Sequence, residues 1–219
     1  MATVLITGAN RGIGLEMCHQ FADRGDEVIA VCRSGNRELQ QPGIELIDDV
    51  DVADDSVIEK LAERLSGRSI DVLINNAGIL TRETLDDLDL DRMRKQYEVN
   101  ALGPLRVSKA LLPNLHEGSK LLILTSRVGS VGDNSSGGIY GYRMSKAAAN
   151  MAGMNLAIDL KERGIAVGIL HPGMVATEMT NGAGISTEKS ASGLIERIDN
   201  LNLENTGTFW HAEGEVLPW

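Results

Sequence analysis

Short aliphatic runs alternate along this chain with longer segments of helical pattern, and that alternation leaves few folds open. The runs are TVLIT (3–7), EVIAVC (27–32), IELI (44–47), DVLIN (71–75), KLLILTS (120–126) and IAVGIL (165–170). Each is apolar almost throughout, the texture of strands covered on both faces, as in a parallel sheet. Between them the pattern predicts helices over 13–24, 54–65, roughly 89–112 and 141–162, with Gly25 and Gly164 placed to end two of them. Repeated β–α units give a doubly wound α/β sandwich. No linker-like stretch divides the 219 residues, so one domain over 1–219 is expected. The segment 178–206 is polar, Gly-rich and poorly periodic, and a last short strand, GTFWHA (207–212), is expected to close the sheet edge.

Composition narrows the function. Aromatic residues are only 3 %, so the core must be built from aliphatic side chains and Met. The net charge of −10 and the absence of any Lys/Arg run argue against nucleic acid as a partner. The early run VLI (4–6) is too short for a signal peptide or a membrane span. Cys18 and Cys32 lie in apolar contexts without metal-ligand spacing and read as small buried residues of a cytoplasmic protein. The four histidines are scattered, and no metal site is expected.

The stretch TGANRGIG (7–14) follows the first strand and opens the first helix. Glycines at 8, 12 and 14 allow a tight turn and close approach of a pyrophosphate, which the helix N-terminus would attract with its unpaired N–H groups. A bare strand-to-helix turn would also use glycine, but the strand–turn–helix context favours a dinucleotide. The spacing G-x-x-x-G-x-G, then NNAG (75–78), then Y-x-x-x-K (142–146) resembles the short-chain dehydrogenase/reductase family over nearly the whole chain. With LHPGMVATEM (170–179) and the closing GTFWHAEGEVLPW, the chain is most similar to the small carbonyl-reductase and C-factor-like branch. The resemblance implies a single-domain, doubly wound Rossmann-type parallel sheet with helices on both faces.

It also implies a cofactor. Binders of NAD place Asp or Glu at the end of the second strand, whereas here Cys32, Arg33 and Ser34 stand there. With Arg11 inside the glycine turn, two guanidinium groups favour a 2′-phosphate, and NADP(H) is preferred over NAD(H). The turn residues Gly8, Asn10, Arg11, Gly12, Ile13 and Gly14 match the family's pyrophosphate site, and Asp51 and Val52 its adenine contact. Asn76, Ala77 and Gly78 match the segment that lines the ribose. Pro172, Gly173, Val175 and Thr177 match the segment that holds the nicotinamide carboxamide. His171, just before it, reads as structural.

Only Tyr142 has a lysine at i+4, Lys146; Tyr140 faces Met144 and is left to line the pocket or pack. A free phenol titrates near pH 10, and a neighbouring ammonium should lower that value toward the range of general acid–base work. By resemblance, Tyr142 is the acid/base and Ser126, sixteen residues earlier, steadies the substrate oxygen. Asn100 matches the family's helix-kinking asparagine, which holds a water linking Lys146 to solvent. The expected reaction is hydride transfer between the nicotinamide and a small-molecule carbonyl or alcohol. The alternative is a dinucleotide-binding regulatory or signalling protein without turnover. Small side chains in 178–193 and 127–139 suggest an open pocket for varied ketones or aldehydes. Small apolar helix faces such as AAANMAGMNLA (147–157) suggest a homodimer or homotetramer.

Overall fold

Each aliphatic run becomes a strand of one sheet. The computed structural model describes residues 1–219. Its strands are β1 (Thr3–Thr7), β2 (Glu27–Val31), β3 (Ile44–Ile47), β4 (Val72–Asn75), β5 (Lys120–Leu124), β6 (Ala166–His171) and β7 (Phe209–His211). They lie in the order β3-β2-β1-β4-β5-β6-β7, and every neighbouring pair is parallel. The order reverses between β1 and β4, which opens a crevice at the carboxyl ends of these strands, where such sheets bind ligands.

Alternate side chains along the central strands feed two separate cores, one on each face of the sheet. Val4 and Ile6 of β1 point to one face, covered by α1 (Gly12–Asp23) with Met17, Cys18 and Phe21. Leu5 points to the other, covered by α2 (Asp55–Arg64) through Ile58 and Leu61, with α4 (Gly103–Ala110) and α5 (Tyr140–Leu160) beside it. Phe21 is fully buried, which is worth about 1.5–3 kcal/mol. Gly25 and Gly164 take left-handed conformations at the helix ends, as the pattern required. No helix is long and apolar enough to cross a membrane.

Three segments differ in detail from the sequence pattern. The helical stretch over 89–112 divides into α3 (Leu90–Tyr97), a wide π turn over Glu98–Leu102 centred on Asn100, where the resemblance implied a kink, and α4. Pro104 has no N–H to give to the Asn100 carbonyl four residues back, and the Gly103 N–H donates five residues back to Glu98. The segment 178–206 is not irregular: it contains α6 (Thr187–Asn200), whose N–H of Lys189 donates to the Ser186 hydroxyl. Ala191, Leu194, Ile195 and Ile198 carry helical spacing and join α1 on the first face, but Ser, Glu and Lys between them dilute the signal. β7 is shorter than read, and the chain end covers its free side. The N–H of Leu217 donates to the Phe209 carbonyl and that of His211 to Glu215, both at 2.8 Å, and Trp219 stacks on Phe209.

Candidate active site

The turn after β1 is held open by its neighbours. Gly8 has φ +66°, and a Cβ there would lie 2.8 Å from the Ala77 Cα; one on Gly14 would lie 2.5 Å from Asn76 Nδ2. Asn76 Nδ2 donates to the carbonyls of Thr7 (2.9 Å) and Gly8 (3.0 Å). The Thr7 hydroxyl oxygen accepts from the N–H groups of Asn76 and Ala77, both at 3.1 Å. Asn76 therefore shapes the turn itself. Asp54, Asp89 and Ser186 cap α2, α3 and α6 with their side chains, but nothing caps α1, and its first turn carries no acid. An uncapped helix start behind a glycine cradle fits a phosphate-bearing ligand. Ile13 anchors this start against the core.

The flanks of the turn are organised by polar contacts. Asn10 Nδ2 donates to the Ser34 carbonyl (2.9 Å), and Asn36 Nδ2 donates to that of Asn10 (2.6 Å), so the loop after β2 is tied to the cradle. Arg33 is exposed and in no ion pair, whereas Arg11 pairs with Glu178. One oxygen of Asp51 accepts from the Ala53 N–H (2.9 Å), and Val52 is buried in the second core. The other acids of that run serve the start of α2, where Asp54 accepts from the N–H groups of Ser56 and Val57. From the opposite side, Thr177 Cγ2 stands 3.3 Å from where a Gly12 Cβ would lie. Val175 is buried, Gly173 has φ +87°, and the Pro172 carbonyl accepts from Ser190 Oγ (2.8 Å). The segment 172–177 thus closes over the glycine turn.

Ser126, Tyr142 and Lys146 lie where that crevice reaches α5. Ser126 stands near enough to the Tyr142 phenol to favour its ionised form, and it accepts from the Val128 N–H (3.3 Å). Lys146 is only 4 % exposed; its Nζ donates to the Leu124 carbonyl (3.0 Å) and lies 5.7 Å from the centre of the Tyr142 ring. Gly78 abuts both Nζ and Asn100 Oδ1, so the contacts run unbroken from Gly8 through Ala77 and Gly78 to Lys146. Asn100 exchanges two hydrogen bonds with the main chain of Ile79, each 2.8 Å, and donates to Ser145 Oγ (3.0 Å). Both Nδ2 protons are thus engaged, leaving acceptor positions on Oδ1 and on the main-chain carbonyl for the water role that the resemblance implies.

One electrostatic expectation is reversed. Burial pushes the Tyr142 phenol up to about 12, with Ser126 pulling weakly the other way, and burial pushes Lys146 down to about 8. Desolvation penalises both charged forms, and Nζ is turned to a carbonyl, so the lysine does not make the phenol acidic in the protein alone. His171 is pushed down to about 3 by burial and by the nearby His211, Arg127 and Lys146. It packs edge-on against His211 at 5.0 Å, in keeping with a structural part.

Residues 2–188 match the family model described as short chain dehydrogenase. The chain belongs to the short chain dehydrogenase family. It is 46 % identical, over an aligned length of 226 residues covering all of both chains, to the 1-hydroxy-2-glutathionyl-2-methyl-3-butene dehydrogenase of Rhodococcus sp. (strain AD45). The C-signal of Myxococcus xanthus is 44 % identical over 154 residues, which is 68 % of this chain and 93 % of that protein. The NADPH-bound carbonyl reductase from chicken fatty liver superposes with a TM-score of 0.92 at 31 % identity, covering 100 % of this chain and 99 % of that one. This short chain dehydrogenase therefore lies near the carbonyl-reductase and C-factor branch of its family. Sequence reasoning did not single out Thr7 or Ser145. Both are small hydroxyl residues beside recognised motifs, and only their hydrogen bonds show that they hold those motifs in place.

Proposed function

We propose that this short chain dehydrogenase is an NADP(H)-dependent oxidoreductase acting between a carbonyl and the corresponding alcohol, with Tyr142 as general acid/base. The observation that carries the proposal is the meeting of Tyr142 and Lys146 at the end of a continuous glycine-lined crevice, with Ser126 two residues beyond the Leu124 carbonyl that Nζ holds. Arg11, and Arg33 with its exposed and unpaired guanidinium, support a 2′-phosphate over a bare ribose. A bound nicotinamide would supply or accept the hydride.

In reduction, the Tyr142 O–H gives its proton to the carbonyl oxygen as negative charge develops there, and the Ser126 hydroxyl donates to the same oxygen. Such preorganised donors are worth several kcal/mol in a water-poor site. Lys146 spends one N–H on Leu124, leaving the others to hold ribose hydroxyls. Its charge favours the phenolate once a ligand draws Nζ toward the site. In oxidation the same groups run in reverse.

The test is oxidation of NADPH and NADH with a panel of aldehydes, ketones and quinones, and reduction of NADP+ with alcohols. The panel includes thioether-bearing alcohols, given the substrate named for the Rhodococcus relative. Turnover faster with NADPH is expected; no turnover with any member would overturn the assignment. The likeness to C-signal favours one rival, a dinucleotide-binding signalling protein without turnover. A sensor would be indifferent to Tyr142→Phe. The exposed Leu105, Met151 and Ile158 on α4 and α5 support a homodimer or homotetramer through those helices. Light scattering at micromolar concentration should show an oligomer, and a monomer would contradict it.

A further inference from the structure

Tyr142 sits between two residues of α5, Gly141 and Ser145, that are each touched from the same neighbouring segment. Asn100 makes the upper contact, bridging Ile79 and Ser145. Four residues earlier, Gln96 makes a lower one. Its Oε1 accepts from the Thr81 N–H (3.0 Å), and its Nε2 donates to both carboxylate oxygens of Glu83 (3.2 and 3.4 Å). The Thr81 hydroxyl donates to the same carboxylate. Gln96 Nε2 also lies directly against Gly141, so closely that a Cβ on Gly141 would collide with it, and with Met93 Cγ at 2.8 Å. Gln96 and Glu83 are 0 % and 1 % exposed.

This lower contact is an odd thing to bury. Glu83 forms no ion pair, so its desolvation is offset only by two neutral donors. An apolar pair would fill the space at lower cost. What an apolar pair would not do is set a spacing, because hydrogen bonds constrain distance and angle where methyl contacts slide. The two contacts share one architecture: the loop after β4, then an amide on the α3–π segment, then the main chain or hydroxyl of α5 on either side of Tyr142.

We infer that Gln96, held by Glu83 and Thr81, is a positioning residue that works in parallel with Asn100 to fix the first turn of α5 and so the placement of the Tyr142 hydroxyl. The inference rests on Tyr142 as the general acid, but one arm of its test does not need turnover. Misplacement of a reacting group by about 1 Å costs up to about 100-fold in rate. In the full-length protein, Gln96→Met should therefore lower kcat about 10- to 100-fold while the dissociation constant for NADPH stays within about twofold of wild type. Glu83→Gln should show a smaller loss. The exchange of both, Glu83→Gln with Gln96→Glu, restores a donor facing an acceptor and should recover most of kcat.

The ring resonances of carbon-labelled tyrosine report the same displacement without catalysis. The Tyr142 signal should move in Gln96→Met and return in the exchanged pair. An unchanged kcat and an unmoved Tyr142 resonance in folded Gln96→Met, or an exchanged pair as slow as that variant, would overturn the inference. Should Gln96→Met fail to fold, Glu83→Gln and the exchanged pair decide it by the same readouts. Absence of turnover in wild type would count against the proposed reaction, and the resonance would still judge the pair.

Discussion

Lys146 carries its charge into a site where 4 % of its surface meets solvent and one carbonyl is its partner. Burial lowers it to about 8 from 10.5, so the unfolded chain holds this proton more tightly. The group therefore destabilises the fold at neutral pH, and the penalty fades as pH rises from about 8 to about 10.5, where both states become neutral. Lys146→Met should be more stable than wild type at pH 7, on the order of 1–3 kcal/mol by urea denaturation. The gap should close toward pH 10.5, and a gap independent of pH would show that charge is not its source. That Tyr142 stands beside Lys146 was legible from spacing alone, because i and i+4 share a helix face. The direction of the phenol's shift was not. Spacing shows the cation but not how far Nζ turns away or how dry the ring is.

At the level of elements, the glycine turn was legible in full, since backbone that must approach a ligand or another strand leaves glycine at fixed intervals. Its supports were not, because Asn76 and Thr7 act across about seventy residues of sequence. Gly14→Ala tests the cradle. Its Cβ would stand 2.5 Å from Asn76 Nδ2, so the variant should lose dinucleotide affinity in a fluorescence titration and about 1–3 kcal/mol of stability. Wild-type affinity would mean that the turn tolerates side chains. α6 went unread because its four apolar anchors sit among Ser, Glu and Lys, and burial against α1 decides what a weak pattern leaves open. Its cap is local: Ser186→Ala should cost about 1 kcal/mol in thermal or urea unfolding, and no change would remove the cap from the account. The break at Asn100 was legible from resemblance, and Pro104 four residues on gives its physical reason.

Across the whole molecule, the parallel order and the crevice at its reversal followed from the alternation of runs, because covered parallel strands admit few arrangements. The cover on β7 did not, since main-chain hydrogen bonds between an edge strand and residues as polar as Glu215 leave no apolar period to read. Removing residues 215–219 should bare the β7 edge and the fully buried Phe209, and self-association of the truncated chain should appear in size-exclusion chromatography. A truncated chain that behaves like wild type would show the edge protected by other means. The whole account converges on one proton donor at the end of one crevice. Steady-state NADPH oxidation with a reducible carbonyl, compared between wild type and Tyr142→Phe alongside NADPH binding to each, examines it most directly. The account predicts a rate loss of at least about 100-fold with cofactor affinity little changed. Equal rates in the two proteins would contradict it.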